Sequence, residues 1–342
     1  DKVDLNVRVK EQPTGQFSIG GGFSTLDQLV AIADITEGNI GGNGWMGRIR
    51  GQLGQQRTLG LITFRNPYLN DSLTSMQLDI FKSATNYFTY YERKTGASMT
   101  FGRWFSEYLS GTIGPVVEEI TYSSPSVTAP PIILNQIGHQ STTGFRASLT
   151  RDSRDYFQDP RTGWRTSVAL GLGTSYLGGT NDFVKYTFDV NKYTPLPYDT
   201  RLSVRVRYGV VQSINTDGQS KPVPLTELYF VGGINTMRGF VFGKAGPVTS
   251  NNTLLGAASE LIFNFDYIFT ISSEAKLNGV VFFDYGKGFA DSAVSFPLRQ
   301  AAGLEGRWVS PFGPLRAAYG INLDPNPNER KGVFEFTIGT VF

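Results

Sequence analysis

The sequence has no cysteine, one histidine and few charged residues. Lys, Arg, Asp and Glu make up 18% of its 342 residues, whereas about 25% is typical of soluble domains. The absence of cysteine excludes a disulfide framework and thiol chemistry, and one histidine is too few for a transition-metal cluster. A net charge of +2 gives no reason to expect nucleic acid as a partner.

The sequence also lacks the run of roughly 18 or more apolar residues that marks a transmembrane helix. It contains instead 40 Gly, 25 Phe and 16 Tyr, spread over short segments in which apolar and polar residues alternate. In residues 200–212, Leu202 and Val204 alternate with Arg201 and Arg205, which puts an apolar face towards lipid and a basic face towards a lumen. Such segments are typical of a membrane β-barrel.

Counting these segments from Gly15 onward predicts sixteen antiparallel strands, an even number as in bacterial single-chain barrels. Residues 253–266 form one of them. Residues 331–342 form the last, with Phe334 on its lipid face and Glu335 on its lumen face. If the first strand ends outside, the external connections include the longest, and the others are mostly short turns. This is the loop pattern of outer-membrane barrels.

Residues 1–12 predict a strand that does not belong to the barrel. Apolar residues alternate there with polar or charged ones, and Pro13 breaks the pattern before the barrel begins. Because a lone strand is not stable by itself, we expect it to complete a domain that precedes the barrel, and we expect the chain to be part of a longer protein. The alternative is an N-terminal barrel strand. The barrel then occupies residues 13–342.

A long connection at 213–252 shows no sustained alternation. A connection of this length in a compact β-protein is expected to be functional or disordered, and this one is too apolar to be a disordered tail. Gly232, Gly233 and Gly239 allow tight turns or close backbone approach. Between them stands Arg238, a rigid fork of five donors. We interpret the segment as a loop folded into the lumen against carboxylates.

Glu260 and Asp284 are the candidate carboxylates. Odd positions are apolar in both strands that follow the loop, and even positions include Glu260, Asp266 and Asp284. Period-two alternation therefore puts these acids on the lumen face. We expect Arg238 to lie in the lumen and to bind Asp284, Glu260 or both.

Several patches together carry a family resemblance. The stretch TMRGF at 236–240 is similar to a V-R-G-F/Y loop motif, with Met in place of the usual Val, and ASELIF at 258–263 and FFDYG at 282–286 are similar to the two strands that follow that loop. RDSRDYFQDPRTGW at 151–164 is similar to a turn, and the chain ends in an alternating strand with a terminal Phe. In this order, the patches resemble the BamA-type outer-membrane insertases and their transporter relatives. The implied loop-latch motif is Met237, Arg238, Gly239, Phe240, Glu260, Asp284 and Gly286.

The resemblance implies an all-β protein, a 16-stranded transmembrane barrel preceded by the last strand of a POTRA domain, in the outer membrane of a Gram-negative bacterium. It implies a protein that is not an enzyme, needs no cofactor, and folds and inserts other barrels. Its expected partners are unfolded outer-membrane β-barrel proteins, outer-membrane lipids, periplasmic chaperones and accessory lipoproteins. Two alternatives stay open: a translocator of the TamA or two-partner secretion type, and a passive diffusion porin, which has no need of an Arg–carboxylate latch.

Glycines in the first and last strands predict weak closure between them. Glycine weakens a strand through backbone entropy and missing side-chain contacts, although glycines also ease curvature in ordinary porins. The resemblance favours a lateral gate, in which the edge of the first strand templates a client strand. We expect fewer backbone hydrogen bonds at this seam than between any other neighbouring strands. The predicted gate residues are Gly20, Gly21, Gly22, Gly332, Gly339 and Phe342.

Overall fold

The computed structural model describes residues 12–25, 27–87, 89–215, 221–310, 313–327 and 329–338. The described residues form a closed antiparallel barrel of sixteen strands, in which each strand pairs with its neighbours along the chain and the first lies beside the last. The sixteen-stranded barrel predicted from the alternation is therefore confirmed. Residues 1–11, where a POTRA strand is predicted, lie outside the described part.

The strands are 7 to 15 residues long. They are β1 (Gly15–Ser24), β2 (Gln28–Ile40), β3 (Trp45–Gly54), β4 (Arg57–Asn66), β5 (Thr74–Tyr87), β6 (Tyr90–Trp104), β7 (Leu109–Ser123), β8 (Gly138–Asp152), β9 (Gly163–Gly173), β10 (Phe183–Leu196), β11 (Thr200–Ser213), β12 (Ser259–Ser272), β13 (Leu277–Phe289), β14 (Arg299–Ser310), β15 (Gly313–Asn322) and β16 (Gly332–Ile338). A four-residue helix, α1 (Pro131–Leu134), lies between β7 and β8. Among the described residues, no helix is both long and apolar enough to cross a membrane.

The outer face of the barrel carries an apolar belt. Ile35, Ile49, Ile62 and Ile80 face one another across β2 to β5, and each keeps at least half of its surface exposed. A contiguous exposed apolar row on a closed barrel is what contact with lipid requires. The last strand follows the same alternation.

In β16, Phe334 is 60% exposed on the outside, whereas Glu335 and Thr337 are buried on the lumen side. Phe336 packs near Phe23 of the neighbouring first strand, with ring centroids 6.3 Å apart. The lipid and lumen faces predicted for this strand are therefore observed.

The turn between β8 and β9 is held by its own ion pairs. Arg154 donates through Nε and Nη2 to Asp152, at 2.8 and 2.7 Å. Asp159 of the same turn pairs with Arg201 of β11. The second contact fixes the turn to β11.

One predicted strand begins in the wrong place. The strand expected at 253–266 starts at Ser259, because Ala257 pairs with Tyr229 of the preceding loop and not with a neighbouring strand. The alternation of the strand continues backwards into the loop through the apolar odd positions Leu255 and Ala257. We call residues 221–258 the inner loop.

Candidate functional site

Arg238 of the inner loop lies buried in the lumen, with 3% of its surface exposed. Its Nε donates to Oδ2 of Asp284 at 2.9 Å and its Nη2 to Oδ1 at 2.6 Å. The backbone N–H of Arg238 donates to the same carboxylate at 2.8 Å. Such bidentate pairing adds geometric specificity to charge, so Asp284 fixes both the side chain and the backbone at the loop tip.

Two further carboxylates complete the arginine latch, by which we mean Arg238 with Asp266, Asp284 and Glu305. Nη2 of Arg238 donates to Asp266 at 2.6 Å, and Nη1 donates to Glu305 at 2.7 Å. The guanidinium also lies over the ring of Phe282, 3.8 Å from its centroid, a favourable cation–π position. The three acids project from three successive strands, β12, β13 and β14, so one loop side chain joins three strands of the wall.

Two more arginines balance the charge of the latch. Arg307 donates to Asp266 at 2.7 Å and to Glu305 at 2.8 Å. Arg316 of β15 donates to Glu305 at 2.6 Å and to the backbone carbonyl of Ile234 in the inner loop at 3.1 Å. Burial alone would lower the pKa of Arg238, but the neighbouring carboxylates raise it above its usual value, so the guanidinium stays charged.

Glycines allow the loop tip to touch the wall. Gly239 has φ +84, a left-handed conformation suited to glycine, and it packs against Gly320 of β15. A Cβ on Gly320 would lie 2.6 Å from Cα of Gly239. A Cβ on Gly286 would lie 3.1 Å from Sδ of Met237. The glycines of the motif are therefore contact points between backbones.

Phe240 links the motif to the hairpin that carries the last strand. Its ring lies under the guanidinium of Arg299, 4.7 Å from the centroid. Arg299 donates to both oxygens of Glu329, at 2.8 and 2.6 Å, in the loop between β15 and β16. Burial would raise the pKa of Glu329, but the bonds from Arg299 lower it to about 2.

Of the two carboxylates expected to bind Arg238, the structure brings Asp284 to it and not Glu260. Within the described residues Glu260 makes no hydrogen bond to Arg238. Glu260 is buried opposite Gly209 of β11 and Gly288 of β13. It lies six residues before Asp266, about 20 Å along the strand. Alternation identified its face but not its depth in the lumen.

The sequence left two acids of the arginine latch, and the neighbouring Arg307, unassigned. Asp266 was placed on the lumen face but not with Arg238, and Glu305 and Arg307 alternate with Leu304 and Gly306 in β14. The signal that identifies them is the same period of two that identified Asp284. Register between strands, which sequence does not show, puts Glu305 opposite Val280 and Ala318.

Four of the predicted gate glycines lie in the described parts of β1 and β16. Gly20, Gly21 and Gly22 pair with β2 on their other side, and a Cβ on Gly20 would meet nothing within 4 Å. Gly332 leaves room for the side chain of Tyr319, whose Cζ would lie 3.0 Å from an added Cβ. Gly339 and Phe342 lie outside the described residues, so the expected shortage of hydrogen bonds at the seam stays a prediction.

The arrangement at the latch holds a loop and contains no pattern of nucleophile and base. No group of three or more His, Asp or Glu side chains in the described part of the chain is arranged to hold a metal ion. A closed barrel with an apolar belt, long loops at one end and a loop fixed inside its lumen is an outer-membrane β-barrel.

Comparison with known proteins defines the family. Residues 39–342 match the Omp85 superfamily domain, and the chain belongs to this superfamily. It is 30% identical over 349 residues to the outer membrane protein assembly factor BamA of Nitratidesulfovibrio vulgaris, covering 100% of this chain and 44% of that protein. It is 24% identical over 396 residues to the BamA of Neisseria meningitidis serogroup B, covering 100% and 49%. The chain thus spans about half the length of these relatives.

Solved structures agree on the fold. BamA from Haemophilus ducreyi lacking POTRA domains 1–3 superposes with a TM-score of 0.83 at 19% identity, covering 96% of this chain and 70% of that one. CdiB from Acinetobacter baumannii superposes with a TM-score of 0.58 at 14% identity, covering 95% and 60%. The family predicted from the motifs is confirmed.

Proposed function

We propose that this barrel is the membrane domain of an assembly factor that inserts other β-barrel proteins by strand addition at a lateral gate between β1 and β16. The observation that carries the proposal is the run of three glycines, Gly20, Gly21 and Gly22, in the first strand, because glycine weakens a strand. In the described residues β1 pairs with β2 over all of Gly15–Ser24 and with β16 at Phe23 and Ser24. The names of the BamA relatives support the assembly role.

Strand addition is a mechanism that needs no nucleotide. An unpaired strand edge offers a row of N–H and C=O groups to an incoming strand. In hydrocarbon each unsatisfied group costs several kcal/mol, so pairing with β1 favours a client strand that has no other partner. The client segment is then an unfolded outer-membrane strand with one apolar face.

The arginine latch holds together the strands that precede β15 and β16, on one side of the proposed gate. Arg238 joins β12, β13 and β14 through its three carboxylates, and Gly239 rests on β15. Opening at the seam therefore moves β16 and β1 against a wall that the inner loop holds together.

A disulfide across the seam tests the gate. Thr25 N donates to Phe336 O at 3.0 Å, so the adjacent pair, Ser24 and Thr337, is a non-hydrogen-bonded pair. Cα atoms in such pairs are about 4.5 Å apart, within the disulfide range of about 4.4 to 6.8 Å. The variant Ser24→Cys/Thr337→Cys, in the full protein in proteoliposomes, should lose client insertion when oxidised and regain it when reduced.

A matched disulfide controls for the chemistry. Thr112 of β7 and Ser148 of β8 have side-chain oxygens 2.7 Å apart, and locking them should leave insertion unchanged. Client insertion at the unlocked rate in the oxidised seam variant would refute the gate. A translocator, the alternative, would then be supported if the same locked barrel exported its substrate through the lumen.

A further inference from the structure

The inner loop contacts the lumen wall at a second place, on the side away from the latch. Nζ of Lys185, on β10, donates to Oε2 of Glu227 at 3.1 Å and to its backbone carbonyl at 2.9 Å. Arg146 of β8 lies 3.6 Å from the same carboxylate. Glu227 is buried, with 7% of its surface exposed.

The ring of Tyr229 packs directly against Gly209 of β11. A Cβ on Gly209 of β11 would lie 2.6 Å from Cζ of Tyr229, so only glycine leaves room for the ring. The Tyr229 hydroxyl bonds with Thr187 at 3.1 Å and donates to the carbonyl of Tyr186 at 3.2 Å. The ammonium of Lys185 lies 4.6 Å from the ring centroid.

The loop is also fixed where it leaves β11. The backbone N–H of Thr226 donates to the hydroxyl of Tyr122 on β7 at 2.9 Å, and Gln136 beside α1 donates to the carbonyl of Val223 at 3.2 Å. Leu225 is buried in an apolar cluster with five residues of β6, β7 and the α1 connection: Tyr90, Ile120, Tyr122, Ala129 and Ile133.

We propose that residues 223–229 form a far-wall anchor that holds the inner loop across the lumen as a closed plug, with Glu227 and Tyr229 as its positioning residues. The loop bridges β7, β8, β10 and β11 on one side and β12 to β15 on the other. Beside the loop tip the lumen keeps a cavity of about 620 Å³ lined by polar residues, among them Arg205 and Arg207. Side chains of the wall therefore leave open space in the lumen, and the inner loop closes the path through it. This inference does not depend on the assembly role.

The two attachments differ in strength. Arg238, the cation of the latch, exposes 4% of its side chain, whereas the cations of the far-wall anchor, Lys185 and Arg146, expose 24% and 52%. Exposed ion pairs are screened by salt, and buried pairs are screened far less. The far-wall anchor therefore releases first, and the loop swings while Arg238 stays bound.

Single-channel recording in planar bilayers tests the plug. Glu227→Gln removes the charge and keeps the shape. We expect the open probability to rise about tenfold or more, the effect of losing one charge-assisted hydrogen bond, and to lose most of its dependence on salt. Glu119→Gln, at an exposed position of β7, is the matched control and should behave as wild type.

A second pair of variants makes the test independent of charge. Gly209→Ala fills the space that the ring of Tyr229 occupies and should open the channel. Gly171→Ala of β9 is the control: its added Cβ would lie at an ordinary 3.6 Å from Cβ of Lys185, so it should not open the channel. Folded barrels are identified by electrophoresis, because the band of a folded barrel shifts when the sample is heated. Wild-type open probability in folded Glu227→Gln and Gly209→Ala barrels would overturn the proposal, whatever the outcome of the seam disulfide.

Discussion

Arg238 is the residue on which the lumen contacts converge, and the geometry explains why it is arginine. Its fork donates to Asp266, Asp284 and Glu305 at once, in directions that a single ammonium on a flexible stem does not match. With Arg307 and Arg316, three cations face three carboxylates. Asp266 and Glu305 also pair with Arg307, whereas Asp284 pairs, among the described residues, with Arg238 alone.

The first residue-scale prediction is that Arg238→Ala lowers the free energy of unfolding by about 3–5 kcal/mol, because a buried carboxylate is left unpaired. Arg238→Lys should keep the charge but lose the fork, and should be intermediate. The measurement is urea unfolding in vesicles, with Arg330→Ala, at an exposed loop position, as control.

A double variant separates charge balance from lost packing. Arg238→Ala/Asp284→Ala removes one charge of each sign, so its cost should be smaller than the sum of the two single costs. Additive costs would show that the charges of the latch are not coupled.

At the residue scale, the sequence shows which face of a strand a residue occupies but not how deep in the lumen it lies. Alternation put Asp284, Asp266 and Glu260 on the lumen side, and all three lie there. Arg238 meets only the first two, because the loop descends to their level and passes Glu260. The depth of the loop depends on Gly239 meeting Gly320, a contact between segments about 80 residues apart that no local pattern encodes.

At the scale of elements, the close approach of the inner loop to β15 is the feature that sets this depth. A Cβ on Gly320 would also lie 2.9 Å from the carbonyl carbon of Arg238, so it would meet backbone, which has little freedom to shift. A Cβ on Gly306 of the adjacent strand β14 would meet nothing within 4 Å. The two glycines have the same strand conformation but different neighbours.

Gly320→Ala should therefore push the loop tip away from the wall and destabilise the barrel by about 1–3 kcal/mol, the usual cost of overpacking. Gly306→Ala should be neutral in the same urea unfolding measurement. Equal effects of the two substitutions would mean that glycine serves both strands in the same way, through backbone entropy or curvature, and not through this contact.

At the scale of the whole molecule, the sequence predicted the architecture well, because a barrel repeats one simple rule. Period-two alternation, an even strand count and the placement of long loops at one end all follow from crossing lipid with a closed sheet. The predicted start of β12 was wrong because the apolar odd positions Leu255 and Ala257 of the inner loop continue the alternation of the strand. A loop packed against a wall imitates the pattern of a strand.

The same rule makes the membrane position of the barrel testable without reference to its function. Ile49 lies in the middle of the exposed isoleucine row shared by β2 to β5. Ile40 is also exposed but lies at the end of β2 beside the turn, opposite Trp45. From Ile35, the partner of Ile49, to Ile40 the strand advances about 17 Å, enough to reach the membrane interface in a tilted strand.

We therefore expect Ile49→Lys to lower the free energy of unfolding in phospholipid vesicles by about 2–4 kcal/mol, the cost of a lysine near the bilayer midplane. Ile40→Lys should cost about 0–1 kcal/mol, as lysine does near the interface. The comparison uses one residue type and one substitution at two exposed positions of different depth. If both substitutions have the same cost, the isoleucine row does not lie in the hydrocarbon core, and the barrel sits in the membrane at a different height from the one that its belt indicates.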